Sequence, residues 1–287
     1  MYLAGIEEVP SSGIRIRMLA DDIVLWSSDT AIPDLESKLN DFLTALSNYA
    51  ADLKLHFNPS KSIATFFTTN KHLYNYQPKL RLNNQDLTYE KHPKYLWFVS
   101  DPEFTSNKHI DYLVLKSRKR LNILKYIADK NWGADAATLR LTYLTLIRSI
   151  LEYGFPIYCC ASKSVLKKLE RVQLSAARII TGLKHSCPSN IVLFEAEVQP
   201  LLFRRQTGFV KYFNKLSSFG QQNQTSKYLN NWVNGQKLKK KSPFSQVESE
   251  NFLTEEVEPS SLQCSLNPSG GGTLQGVFPL QLKFTRH

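Results

Sequence analysis

Two adjacent carboxylates, Asp21 and Asp22, stand between two apolar runs. Before them, Ile14, Ile16 and Met18 alternate with Arg15 and Arg17, the period of a strand with one buried face. After them, Ile23-Val24-Leu25-Trp26 is a β-branched and aromatic run, the composition of a well-buried strand. The pattern predicts a β-hairpin with Asp21-Asp22 at its tip. Asp tolerates the positive φ of a tight turn, although Asn-Gly would do so more easily. Two like charges on an apolar hairpin repel each other, and a divalent cation relieves that repulsion. Mg²⁺ suits the role, because it is held by one or two carboxylates together with substrate phosphates. A two-metal phosphoryl-transfer site draws carboxylates from more than one strand. No other acid in the first hundred residues ends an obvious apolar strand beside this hairpin, so the site reads as incomplete.

The elements that position this pair follow in order. Leu35, Leu39, Phe42, Leu43, Leu46, Ala50 and Leu53 recur at helical steps and predict a helix over 34–53, with Pro33 in its first turn. Asn58-Pro59 stops it, and Lys61 follows that turn. A strand over 63–68, a hairpin turning at Asn83-Asn84 and a strand over 95–99 complete an α+β layer, residues 1–102. From residue 103 the period becomes helical. A basic helix over 106–129 carries Lys108, Lys116, Arg118, Lys119, Arg120 and Lys125 opposite Ile110, Leu113, Leu121, Leu124 and Ile127. Helices from Asp135 to Tyr153, over 163–181, over 189–196 and over 201–217 make residues 103–219 a helical bundle. Residues 220–287 show no sustained period and read as a low-complexity, mostly disordered tail.

Charge separates the same regions. The net charge of +11 divides into −2 over 1–102, +11 over 103–219 and +2 over 220–287. A basic block beside an acidic tip suits a polyanion held next to a metal site, although a solvated basic surface has the same composition. Four cysteines in 287 residues make no disulfide framework, which favours a reducing intracellular setting. The N-terminus lacks a signal-peptide pattern, and the most apolar long stretch, 139–161, is broken by Arg140, Arg148 and Glu152, against a membrane span. Cys159, Cys160, His185 and Cys187 fit no standard zinc spacing.

Three blocks carry a family resemblance. They are Leu19-Ala20-Asp21-Asp22 with its apolar flank, Asn58-Pro59-Ser60-Lys61 after the helix, and Tyr95-Leu96-Trp97-Phe98-Val99 followed by Asp101 and Lys108-His109-Ile110. In this order and spacing the chain resembles, over about residues 1–218, the reverse transcriptases of non-LTR retrotransposons of the Jockey-like kind. The resemblance implies the C-terminal half of a polymerase palm followed by an all-α thumb. It implies that Asp21 and Asp22 are catalytic and bind Mg, and that Lys61 acts near the pyrophosphate leaving group. Tyr95 and Leu96 would lie in the primer-grip strand. The basic helix would track a template–primer duplex, with RNA template and dNTP as partners of the intact enzyme. The departures matter as much. The family's first palm strand with its Asp, and the fingers, are expected upstream and are not found. Leu19 stands where an aromatic is usual, and Trp97 where Gly is usual. The expectation is a fragment inactive by itself, with a non-catalytic nucleic-acid-binding module or an inert remnant as alternatives.

Overall fold

A computed structural model describes residues 13–19, 22–68, 70–103, 105–129, 133–159, 161–219, 225–227, 276–282 and 284–285. The chain is a mixed α+β protein in two compact units, Met1–Lys108 with Gly271–His287, and His109–Gly270.

The first unit starts with β1 (Ile14–Leu19) and β2 (Asp22–Asp29), antiparallel from Ile14↔Ser27 to Leu19↔Asp22. One face of this ladder carries Ile14, Ile16, Ile23 and Leu25, all buried; the other carries Arg15, Arg17, Val24 and Trp26. Helix α1 (Ile32–Asp52) has Pro33 in its first turn and buries Leu35, Leu39, Phe42, Leu43, Leu46 and Ala50, the stripe the sequence spacing marks. Leu53 falls just beyond it and is exposed. Packing of that stripe on the buried hairpin face makes the core of the unit.

Short strands follow: β3 (His56–Phe57), β4 (Ile63–Ala64), β5 (Arg81–Leu82), β6 (Gln85–Asp86), β7 (Thr88–Tyr89), β8 (Lys94–Tyr95) and β9 (Phe98–Val99). The strand expected over 63–68 is thus two residues long. The Asn83-Asn84 hairpin is present, with φ of 52° and 60° at the two turn residues, as a type I′ turn requires.

The second unit is helical. Most of α2 (Asn107–Ile127) lies in it, with α3 (Ala136–Thr142), a π-helical stretch (Tyr143–Arg148), α4 (Ser149–Leu151), α5 (Phe155–Tyr158), α6 (Lys163–Thr181), α7 (Ser189–Glu195) and α8 (Leu201–Ser218). Asp135 caps α3 by accepting from the Thr138 N–H at 2.9 Å. Gly154 and Gly182 take the left-handed conformation where helical stretches end. Ion pairs tie α8 to its neighbours: Arg204 grips Glu152 with two nitrogens, and Arg205 meets Glu170 at 2.6 Å.

The tail departs from expectation. Residues 276–282 form β10 and 284–285 form β11, so these positions are strands rather than disordered chain. The sheet order is β1-β2-β10-β4-β7, and β11 pairs with β3. Elsewhere in the tail only 225–227, a helical turn, are among the described residues. The earlier residues gave no sign of the vacancy that this strand fills, because strand pairing at long range leaves no mark on local periodicity.

Candidate functional site

Of the carboxylate pair, Asp21 lies outside the described residues. Asp22 is not a turn residue: it opens β2, paired with Leu19, and is half-buried. The ladder therefore closes one residue earlier than a turn at Asp21-Asp22 would allow.

Lys61 ends a single 3₁₀ turn, Pro59–Lys61, and is exposed. Asn58 builds that turn: its side-chain oxygen accepts from the Ser60 N–H at 3.0 Å and from the Ser60 hydroxyl at 2.7 Å. Ser62, fully buried, donates to the Asn58 carbonyl at 2.8 Å. Asn before Pro thus fixes the entry into β4.

Sheet register relates the two positions. Gln281 faces Val24 on one side and Ile63 on the other; Leu280 likewise faces Leu25 and Ala64. Strands β2 and β4 both run antiparallel to β10, so they are parallel to each other. Asp22 lies two residues before Val24, and Lys61 two before Ile63. The sheet therefore brings the acid and the lysine to the same end, two strands apart, a separation on the order of 10 Å.

Tyr95 and Leu96 lie not in one strand but in a hairpin. Tyr95 ends β8 and is half-buried, while Leu96 and Trp97 are its two turn residues, with φ of 47° and 65°. This corrects the expectation of a continuous strand over 95–99. The reason is local: two left-handed residues in succession reverse the chain as a type I′ turn, even without glycine. Trp97 therefore occupies a conformation that favours Gly, and its ring, 58% exposed, lies under the Lys94 ammonium at 3.9 Å.

Asp101, which ends this segment, is a structural acid. It accepts from the Glu103 N–H at 3.1 Å and from the Thr105 N–H and hydroxyl, ordering the approach to α2. Helix α2 buries His109, Ile110, Leu113, Val114, Ser117, Leu121 and Leu124. Its exposed arc carries Lys108, Arg118, Lys119 and Lys125, Arg120 is exposed apart from that arc, and none of these forms an ion pair among the described residues. Lys116 is half-buried, its ammonium 5.9 Å from the Tyr112 ring. Sequence reading missed that Leu115 and Tyr126 lie exposed on the same arc, at 59% and 69%. Their helical spacing to Lys108 and Lys119 was the available signal. Basic and apolar groups on one face can meet phosphates and stacked rings together.

His109, named in the sequence only within the block Lys108-His109-Ile110, has no role assigned there. It is fully buried near Tyr112 and Tyr158, with ring centroids 6.4 and 5.7 Å away. Burial pushes its pKa down to about 4, so the imidazole is neutral at physiological pH.

Strand β10, beside β2, contains no Asp or Glu, and neither does β4. Among the described residues no group of three or more His, Cys, Asp or Glu is close enough to hold a metal ion. These residues do not make a two-metal clamp. No described helix is long and apolar enough to cross a membrane.

The chain thus joins a strand-led unit, with an acid and a lysine at one sheet end, to a basic helical unit. Over 169 residues it is 27% identical to a probable RNA-directed DNA polymerase from transposon BS of Drosophila melanogaster, covering 59% of this chain and 18% of that protein. Over 213 residues it is 23% identical to the RNA-directed DNA polymerase from mobile element jockey of the same species, covering 74% of this chain and 23% of that protein. The jockey polymerase of Drosophila funebris matches at 23% over 169 residues. These similarities bear out the resemblance to non-LTR retrotransposon reverse transcriptases, with this chain spanning about a fifth of its relatives' length. No family model and no solved structure matches the chain.

Proposed function

We propose that this chain is a fragment of an RNA-directed DNA polymerase, comprising the later part of the palm (1–102) and the basic thumb (103–219). In the intact enzyme Asp21 and Asp22 are the catalytic, Mg-binding acids, and Lys61 serves the departing pyrophosphate. Tyr95 and Leu96 approach the primer. Lys108, Lys116, Arg118, Lys119, Arg120 and Lys125 hold the phosphates of an RNA-containing template–primer duplex, and dNTP is the substrate. The observation that carries this reading is the shared sheet end of Asp22 and Lys61, found in a chain similar to the transposon polymerases.

What this chain's own residues do is narrower. The exposed cations of α2 contact phosphate without reading sequence, and Leu115 and Tyr126 offer apolar surface beside them. Among the described residues no further carboxylate joins Asp22 as a two-metal clamp needs, and on this reading the chain alone is inactive.

Primer extension on an RNA template checks the chemistry. No extension is expected, and extension abolished by Asp22→Asn would overturn the claim of inactivity. Duplex binding checks the grip. Affinity is expected to fall with salt, and each α2 cation removed lowers the log–log slope by about 0.9. Binding that ignores both salt and α2 substitutions would remove the thumb reading, whatever the extension assay gives.

A further inference from the structure

Strands β2 and β4 run parallel, α1 lies between them in the chain, and they are not paired with each other: a slot one strand wide separates them. This is a split β-α-β unit, whose middle strand must come from elsewhere in the chain. Here it comes from the far end. Strand β10 pairs with β2 at seven positions, Gly276↔Asp29 to Leu282↔Ile23, and with β4 at Leu280↔Ala64 and Gln281↔Ile63.

An empty slot would leave two backbone edges unpaired around Ile23, Leu25 and Ala64, which are fully buried. Such edges are costly when buried and recruit other strands when accessible. The occupant suits the position. All seven residues of GVFPLQL are uncharged. Its one proline, Pro279, is paired with Trp26 of β2 and lies one position before the pairing with β4 begins.

We propose that the slot between β2 and β4 is a strand-acceptor site and that residues 276–282 are its built-in occupant. The chain thereby excludes from the slot any antiparallel strand offered by another polypeptide, a second copy of itself included.

The test uses the full chain with its native cysteines replaced by serine. Val24→Cys with Gln281→Cys places thiols on directly paired positions, whereas Val24→Cys with Leu280→Cys shifts the register to the opposite face. A short bis-maleimide, which adds one thiol at each end, is expected at low protein concentration to link the paired variant within one molecule, at least about ten-fold more than the shifted one. Equal linking in both registers, or linking chiefly between molecules, overturns the assignment. A labelled synthetic peptide of residues 274–287 is the second probe. It is expected not to bind the unsubstituted chain, and to bind the chain carrying Phe278→Asp and Leu280→Asp; the peptide with Gln281→Cys is expected to link to that chain when it also carries Val24→Cys. Binding to the unsubstituted chain overturns the exclusion, and failure to bind the substituted chain overturns the acceptor site.

Discussion

The two units solve the same problem, burying apolar surface, by different routes. The helical unit does it locally. Helix α6 buries Val165, Leu169, Val172, Ala176, Ala177 and Ile180 at three- and four-residue steps, and each helix supplies its own backbone hydrogen bonds. The strand-led unit does it through distant pairing. Its sheet takes a middle strand from the other end of the chain, and eight of the unit's described strands, β3 to β9 and β11, are two residues long. Seven described non-Gly residues have positive φ; five lie between Lys54 and Trp97, and two, Ser106 and Glu197, fall at junctions later in the chain. The lesson is that helical segments tolerate being cut from their context better than a sheet does, because their hydrogen bonds are short in sequence.

Truncating one core leucine in each unit gives the largest effect. Leu169→Ala and Leu39→Ala, both at fully buried positions, are each expected to destabilise by about 2–5 kcal/mol. Hydrogen exchange read unit by unit checks this: each substitution should raise exchange mainly in its own unit. Uniform loosening of both units by either change would break the comparison.

Acid distinguishes the units next. The pKa of His109 is about 4 in the fold against an ordinary 6.5, so the unfolded chain binds the proton first. Its contribution is fully present above pH 6.5 and is lost as pH falls toward 4, by up to about 3 kcal/mol. Urea midpoints followed by helix signal should show this slope, and His109→Phe should flatten it.

A smaller effect belongs to the strand-led unit. Replacing Leu96-Trp97 by Asn-Gly matches the residue types to their left-handed backbone and should stabilise by about 1 kcal/mol, less what the Lys94 contact contributes. A lower thermal midpoint for this variant would show that the Trp97 ring matters more than its backbone strain. Least of all, Arg81→Ala removes an ion pair of 2.8 Å between largely exposed side chains, and should change stability by less than about 0.5 kcal/mol.

Much of this was legible from residue patterns. The lead hairpin, the buried stripe of α1, the Asn83-Asn84 turn and helices α2, α3 to α4, α6, α7 and α8 announce themselves through periods of 2 and 3.6 and through caps, whereas the short α5 does not. The hairpin at 95–98 did not, because Leu96-Trp97 is apolar and lacks any turn residue. Strand β10 did not, although Phe278, Leu280, Leu282 and Phe284 alternate in the sequence, because Pro279 and the surrounding low-complexity chain obscure the period.

The sequence by itself determined the local elements, the segregation of positive charge into 103–219 and the order of the blocks around Asp21-Asp22, Lys61 and Tyr95. Periodicity, charge and turn chemistry act over a few residues, so they can be read in place. Only the tertiary structure decided that Asp22 and Lys61 share a sheet end, that Arg204 and Arg205 are matched by Glu152 and Glu170, and that β10 fills the slot beside β2. Those facts depend on which distant backbone edges and charges meet, and that is set by closing the sheet and packing the helices.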